Sequence, residues 1–316
     1  MKIISKINMF LFQLRLSIAK KGPYRFFLKS LDKIGDPNLA YNVIRTEFFR
    51  DMLQPVELSL ESYKKIVILA PHQDDEAIGA GGLLKLFSQQ GADVHIIFVS
   101  NGAQPNFADI VNIRAKEAEQ AAAMVGATVH NLGIDDISCE VSFDDLSRLS
   151  SMIAEITPDL ILAPWLLDAP GKHRLTNLLF YWSQQGLNGK VKAQEPSYSG
   201  EVWGYQVHNP ILANGYADIT NVIDEKLAMI RVYDSQLTEY KAYDHIQKGL
   251  AAWNAHLIPQ KRGEISEKYY ELFLTLPARE YYELIQKYYL QNIDETFKQQ
   301  KLVLKSVGRL LKLGGQ

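Results

Sequence analysis

The fold is decided by residues 65–82, which read KIVILA-PHQDDE-AIGAGG. The first six residues form a short apolar run rich in β-branched side chains, which predicts a buried strand. The last six residues begin a helical pattern whose glycines allow the helix to approach the sheet closely. Between them, His72 and the acids of 74–76 stand where the strand stops and the helix starts. The stretch therefore predicts a strand-to-helix corner that concentrates ionisable side chains.

Short apolar runs continue to alternate with helical patterns beyond this corner. Buried strands are predicted at 65–70, 94–99, 128–132 and 159–163, and helices at 76–90, 109–125 and 143–156. Strands that alternate with helices indicate the α/β class, here a Rossmann-like, mostly parallel sheet with helices on both faces. Such sheets gather functional groups at the carboxyl ends of their strands. We therefore expect the site at that edge, with amphipathic helical extensions at both termini.

Three acids and a histidine within five residues would be electrostatically costly without a compensating cation. A divalent metal is the simplest compensation. His72 and Asp75, three residues apart on one tight turn, can both point at one ion, whereas Asp74 between them is directed elsewhere, toward a bound water. Acids at a helix start also stabilise the helix N-terminus without any metal, which is the alternative interpretation. The histidine and the strand-end position favour the metal site.

A third ligand has to come from another strand end, because two protein ligands do not complete a zinc site. His173 follows the predicted strand at 159–163 and lies in a turn-rich loop. Cys139 is the single cysteine, so histidine and carboxylate have to hold any metal. Two histidines and one carboxylate leave a coordination position open for water, which is the hydrolytic arrangement. The sequence thus predicts Zn²⁺ bound by His72, Asp75 and His173.

Further motifs follow in a fixed order along the chain. They are Ala70 to Glu76, Val99-Ser100-Asn101-Gly102, Arg114 to Glu117 with the small residues of 121–126, Leu132 to Asp136, Asp218-Ile219-Thr220, Ser235-Gln236, Arg262-Gly263 and Tyr269 to Phe273. Each motif alone is weak, but the ordered series is specific. From about residue 65 to 277 it resembles the PIG-L/LmbE-like de-N-acetylases, which are zinc hydrolases that remove acetyl from N-acetylglucosamine-type sugars.

The resemblance implies a role for individual residues. It implies that the three predicted ligands bind zinc and that Asp74 is the general base. It also implies that Arg114 and Asp136 line the sugar pocket. Gln73 stands where the family has a proline, which alters the rigidity of the turn without touching a ligand. The implied reaction is attack on an N-acetyl amide by metal-activated water, with acetate and a free amino sugar as products.

The loop before His173 departs from the family's pattern. The family's D-x-H-P-D-H appears here as Asp168-Ala169-Pro170-Gly171-Lys172-His173. Pro170 replaces a histidine that in the family assists with the developing charge and the leaving amine, and Lys172 replaces an acid. Two residues are candidates for the missing function. They are His208, at the predicted end of another strand, and Lys172, whose cation can stabilise an oxyanion.

The two ends of the chain differ in charge from its middle. Seven basic residues and no acid precede Asp32, and five basic residues and no acid follow Glu295. Removing these twelve leaves 22 basic against 36 acidic residues. Both ends also place apolar residues at helical spacing among the lysines, as do basic amphipathic helices that lie on anionic lipid. Packing on the domain or on a second subunit, and hence an oligomer, is the alternative.

We divide the chain into a basic amphipathic extension at 1–60, a deacetylase domain at 61–280 and a basic amphipathic helix at 281–316. The apolar run near the N-terminus is far shorter than the ~20 residues that span a bilayer. The single cysteine favours a cytoplasmic or otherwise reducing location. The basic ends are compatible with a peripheral position at the inner face of the membrane.

The predicted function is zinc-dependent N-deacetylation of an amino sugar or glycoconjugate. The alternative is a sugar-binding or scaffold protein that keeps the fold and has lost the acid step. Dinucleotide binding is disfavoured, because acids precede the glycines of 79–82 and the G-x-G-x-x-G spacing is absent. The acidic middle of the chain also disfavours nucleic-acid binding. The sequence leaves open which N-acetyl sugar is the substrate and whether that sugar is linked to lipid.

Overall fold

The computed structural model of the chain describes residues 55–168, 170–185, 196–237, 242–258, 267–297 and 300–314. Residues 1–54 of the predicted amphipathic extension at 1–60 and the Arg262-Gly263 motif lie outside the described residues. The strands are β1 (Val56–Glu57), β2 (Lys65–Ala70), β3 (Asp93–Ser100), β4 (Thr128–Ile134), β5 (Leu160–Pro164), β6 (Glu201–Tyr205), β7 (Gly215–Asp218) and β8 (Tyr270–Pro277).

These strands form one sheet in the order β1-β7-β8-β6-β5-β2-β3-β4. Neighbouring strands are parallel except where β8 pairs with β6 and β7. The predicted mostly parallel α/β architecture is confirmed, and the four predicted strands lie within two residues of their expected bounds. β1 belongs to the segment predicted as the N-terminal extension, so the sheet reaches into that segment.

The α-helices of the described residues are α1 (Asp75–Gln89), α2 (Ile110–Met124), α3 (Phe143–Ile156), α4 (Gly171–Ser183), α5 (Ile223–Val232), α6 (Tyr243–Leu257), α7 (Ala278–Ile285), α8 (Ile293–Thr296) and α9 (Lys301–Gly314). Short 3₁₀ turns stand at Thr220–Val222 and Asp234–Gln236, and a π-helical turn at Gln286–Leu290 follows α7.

Both faces of the sheet are covered, and β2 shows why its sequence is apolar throughout. Ile66, Ile68 and Ala70 pack on one face with α1, α2 and α5. Val67 and Leu69 pack on the other face with α3, α4, α7 and α9. Successive residues of a strand point to opposite faces, so a strand buried on both faces reads as a continuous apolar run.

The glycines at the start of α1 do allow the close approach that the sequence predicts. A Cβ atom on Gly79 would lie 2.2 Å from the ring of Tyr205 in β6. A Cβ atom on Gly82 would lie 2.6 Å from the side chain of Ile219. Larger residues at these two positions would push α1, and the corner that precedes it, away from the sheet.

The order of the strands in the sheet determines where the candidate site lies. From β2 the chain proceeds to β3 and β4 on one side, and from β5 to β6 on the other. The connections after β2 and β5 therefore leave in opposite directions and open a crevice at the carboxyl ends of these two neighbouring strands. The corner at 72–75 follows β2, and His173 follows β5.

The C-terminal basic helix packs on the domain. α9 buries Val303, Val307 and Leu310 in the core on the α3 and α4 side of the sheet, and Ser306 accepts a hydrogen bond from the backbone of Val141 at 2.8 Å. Within the described ranges, we find no helix with the length and apolar character needed to cross a bilayer.

Candidate active site

The corner between β2 and α1 holds His72 against Asp75. The backbone N–H of His72 donates to Oδ2 of Asp75 at 2.9 Å, and Nδ1 of His72 lies 3.1 Å from the same oxygen. Burial alone would raise the pKa of Asp75, but the imidazoles of His173 and His72 hold it well below its ordinary value. Asp75 is also the first residue of α1, where the helix dipole favours negative charge. This carboxylate is therefore ionised.

Asp74, between the two, adopts a strained backbone conformation. Its φ of 140° lies in a region that residues with a side chain rarely adopt. Burial and the Asp75 carboxylate raise the pKa of Asp74 to about 7, against the opposing effect of Arg114. Nη2 of Arg114 lies 3.5 Å from Oδ1 of Asp74 and donates to the Gln73 carbonyl at 2.7 Å. Arg114 is thus buried behind the corner and holds both of these residues.

His173 reaches the corner from the first turn of α4. Its ring is fully buried, with Nε2 at 3.3 Å from Oδ2 of Asp75 and Nδ1 at 3.0 Å from Oδ2 of Asp168. In the neutral ring, a hydrogen bond from Nδ1 to Asp168 fixes the tautomer in which Nε2 carries the lone pair on the Asp75 side, so binding of a cation there would release the ring's second proton. Burial alone would lower the pKa of His173, but the carboxylates of Asp75 and Asp168 raise it to about 10.

These residues fit a divalent metal. Ligand atoms of His72, Asp75 and His173 all lie within 4.8 Å of one another. Nε2 of His173 is buried and makes no hydrogen bond to any described residue, which is rare for a buried polar atom and makes this nitrogen available as a metal ligand. The donor set of two imidazoles and one carboxylate suits Zn²⁺ with a coordination position left open.

Asp136 and Lys172 contact this group from the side of His72. Oδ1 of Asp136 lies 3.3 Å from Nε2 of His72, and Oδ2 lies 2.8 Å from Nζ of Lys172. Burial alone would raise the pKa of Asp136, but His72 and Lys172 hold it well below its ordinary value. The Lys172 ammonium also donates to the Asp136 carbonyl at 2.6 Å. Lys172 is therefore held in an ion pair, and the contact of either residue with a sugar stays a prediction.

His208 follows the end of β6 and lies beside the candidate metal ligands. Its ring centroid lies 5.3 Å from that of His173, and its backbone N–H and that of Asn209 donate to Oδ1 of Asp168 at 3.2 and 3.0 Å. Burial and the neighbouring His173 lower the pKa of His208. The expected position at a strand end beside the candidate ligands is observed, whereas a catalytic role stays a prediction.

Asp168 is the residue that the sequence analysis did not single out. One of its oxygens faces the imidazole of His173, and the other accepts the backbone N–H groups at the end of β6. It therefore links the ends of β5 and β6 and orients a candidate ligand. A signal was present, since Asp168 follows a buried strand and precedes His173 by five residues.

Two glutamates of the motifs accept hydrogen bonds from residues that follow α5. The Glu117 carboxylate accepts the backbone N–H of Ser235 at 2.8 Å and its hydroxyl at 2.6 Å. Glu76 accepts the hydroxyl of Tyr233, and burial raises the pKa of Glu76 to about 8. These contacts fasten α1 and α2 to the turn after α5. The sequence identified Glu117 and Ser235 as separate motifs, but it contained no information on their pairing.

Comparison with known proteins agrees at the level of the family. A family model described as PIG-L, GlcNAc-PI de-N-acetylase, matches residues 67–181. The diacetylchitobiose deacetylase of Thermococcus kodakarensis is 26% identical over 193 residues, which cover 56% of this chain and 71% of that protein. The 4-oxalmesaconate hydratase of Pseudomonas putida is 26% identical over 219 residues, which cover 60% of this chain and 81% of the hydratase.

The solved structure of the N,N'-diacetylchitobiose deacetylase from Pyrococcus horikoshii is similar in fold, with a TM-score of 0.58. It is 25% identical, and the match covers 78% of this chain and 95% of that one. The segment matched by the family model runs from within β2 to within α4 and includes His72, Asp75 and His173. The match to the family model over residues 67–181 confirms the predicted resemblance of this chain to the PIG-L/LmbE-like deacetylases.

Proposed function

We propose that this protein is a zinc-dependent hydrolase that removes an acetyl group from an N-acetylated amino sugar or glycoconjugate. The observation that carries the proposal is the convergence of ligand atoms from His72, Asp75 and His173, with Asp74 beside them. The family model and the relative named as a diacetylchitobiose deacetylase support the choice of an N-acetyl sugar as substrate.

In the proposed mechanism the three converging residues hold the metal and Asp74 moves the proton. A zinc ion bound there would acidify a water and polarise the amide carbonyl. The Asp74 carboxylate accepts a proton from the attacking water and releases it later in the reaction, and burial, which raises the pKa of Asp74, favours the acceptance. Arg114 keeps Asp74 in position. When the C–N bond breaks, the proton on Asp74 is available to the departing amine.

The charge that develops on the amide oxygen needs a donor that Pro170 does not provide, because proline has no side-chain N–H or O–H. Lys172 is already paired with Asp136 at 2.8 Å. The His208 ring lies beside His173 at the edge of the site, 5.3 Å between centroids. We therefore assign the donor role to a ring N–H of His208. Lys172 instead stabilises Asp136 and, through it, the orientation of His72.

Two other functions each have a specific observation behind them. A relative that matches this chain at the same 26% identity is named as a hydratase, which adds water to a substrate without releasing acetate. The replacement of the loop histidine by Pro170 motivates the other alternative, a sugar-binding or scaffold protein without turnover.

Acetate release separates the three functions. The protein is stripped with a chelator, reloaded with zinc, and incubated with N-acetylglucosamine, diacetylchitobiose and other N-acetylated sugars. The proposal expects stoichiometric zinc and equal amounts of acetate and free amine. Sugar binding without acetate would support the binding protein. Hydration of 4-oxalmesaconate without acetate release from any sugar would support the hydratase.

Asp74→Asn tests the general base. We expect acetate release to fall by about 10²- to 10⁴-fold, the rate factor that general acid–base catalysis contributes. Zinc content should not change, because Asp74 is not among the converging ligands. Asp109→Asn is the matched control, since it alters an exposed carboxylate before α2 and should keep full activity. Loss of zinc from the Asp74 variant would mean that Asp74 and Asp75 have exchanged roles.

A further inference from the structure

Helix α6 turns its polar side inward. Its buried residues are Gln247, Ala251, Asn254 and Ala255. The Gln247 side chain accepts a hydrogen bond from the buried Lys226, and the Asn254 side chain donates to a backbone carbonyl of β8 at 3.1 Å. A surface helix normally buries its large apolar residues. α6 instead packs on the domain through small and polar side chains.

The large apolar residues of α6 lie on the outer side. Ile246, Trp253 and Leu257 are 50%, 59% and 56% exposed, and Leu250 is half-buried. The spacing of these four residues, in steps of four, three and four, places them along one face of the helix. We call them the α6 stripe.

Area and charge indicate what covers this stripe. Three side chains at about half exposure present on the order of 300 Å², well below the roughly 800 Å² that each partner contributes to a standard protein interface. The one acid of α6, Asp244, is paired with Arg231 at 2.8 Å. Within α6, Lys248 balances Asp244, so the helix itself carries no net charge. Tryptophan and aliphatic side chains on the outer face of a helix are typical of helices that lie in a bilayer interface.

We propose that the α6 stripe inserts into the surface of a lipid bilayer. α6 begins at Tyr243, whose ring centroid lies 6.4 Å from that of His208. The membrane contact would therefore hold the rim of the candidate active site at the lipid surface. This surface lies on the opposite side of the sheet from α9, and the proposal does not depend on the proposed hydrolysis.

Tryptophan fluorescence gives a direct test in the full chain. The chain has four tryptophans, and Trp165, Trp182 and Trp203 are at most 8% exposed, so Trp253 dominates any response to lipid. With vesicles of equal parts phosphatidylcholine and phosphatidylglycerol, we expect a blue shift and quenching by lipids brominated in their acyl chains. Trp253→Phe should abolish this optical response while the protein still co-sediments with the vesicles.

Substitutions in the α6 stripe test whether this stripe is the part of the protein that contacts the vesicles. The double variant Trp253→Gln/Leu257→Gln should lower the vesicle partition coefficient more than tenfold, with its far-UV circular dichroism unchanged. Leu302→Gln is the matched control, because Leu302 is 51% exposed on α9, and it should bind as the natural chain does. The proposal is overturned by the absence of a blue shift, by equal co-sedimentation of the double variant, or by loss of binding in Leu302→Gln. A blue shift without vesicles, together with a dimer mass in sedimentation, would instead assign the stripe to a second copy.

Discussion

Helix α1 contacts two buried charged clusters that differ in how completely they are paired. In its middle, Nζ of Lys226 lies 2.7 Å from Oε1 of Glu271 and donates to the Ile78 carbonyl at 2.8 Å. The Glu271 oxygens accept the N–H groups of Gly82 and Leu83 at 2.9 and 2.8 Å. In an α-helix the N–H of Gly82 and the carbonyl of Ile78 face each other as residues i and i−4. Lys226 contacts the carbonyl and Glu271 contacts the N–H, so the ion pair binds to that turn of α1.

In the cluster at the N-terminal end of α1, not every buried polar atom has a hydrogen-bond partner among the described residues. We call this the open cluster, and we call Lys226 with Glu271 the closed pair. Three carboxylates, those of Asp75, Asp136 and Asp168, surround the rings of His72 and His173. Nε2 of His173 and Oδ1 of Asp136 are buried without a hydrogen-bond partner among the described residues. Charges that are fully paired with one another therefore hold the fold together, whereas an excess of carboxylate whose atoms lack hydrogen bonds can bind a cation.

The largest effect is expected where the open cluster loses its shared carboxylate. Asp75→Asn should weaken zinc affinity by more than about 10³-fold, because loss of a ligand exceeds the 10- to 100-fold cost of losing an outer partner. Acetate release should fall to background. Glu271→Gln alters a carboxylate of the closed pair and should leave zinc affinity unchanged, as measured by competition with a chromogenic chelator. Equal losses in the two variants would remove the distinction between the clusters.

A change in the closed pair should instead lower the free energy of unfolding. Lys226→Met leaves the buried Glu271 without its counter-charge, which should lower the free energy of unfolding by about 3–5 kcal/mol in urea titrations. The folded fraction should still bind zinc stoichiometrically. The double variant Lys226→Met/Glu271→Gln should regain part of the loss, because no unpaired charge then remains. A cost below about 1 kcal/mol for the single variant would show that the pair does not stabilise α1.

A smaller effect should follow when the orientation of His173 is disturbed. Asp168→Asn keeps one oxygen for the backbone N–H groups of His208 and Asn209, but its amide nitrogen cannot accept the N–H of His173. Zinc affinity should fall about 10- to 100-fold. Asp159→Asn is the control, because Asp159 accepts backbone N–H groups of Lys64 and Lys65 far from the ligands. An unchanged affinity in the Asp168 variant would contradict its role as a positioning residue.

Local periodicity explains how much of the fold was predictable. The run at 65–70 is apolar throughout because β2 is buried on both faces, and its bounds are those of the observed strand. The convergence of His72 and Asp75 with His173 was predictable because carboxyl ends of neighbouring parallel strands meet. In contrast, α6 follows no such rule. Its apolar stripe reads like a core-facing side in the sequence, and only the packing shows that this side faces outward.

By itself, the sequence determined four strands, three helices, the corner at 72–75 and the resemblance to the PIG-L/LmbE-like deacetylases, because apolar periodicity and short motifs are local properties of a chain. The tertiary structure alone decided which distant groups became partners. Asp168 orients His173, Lys172 is drawn to Asp136, and His208 comes to the edge of the site. These contacts depend on how loops from different strands return to one crevice, and their geometry is set by packing across the whole sheet.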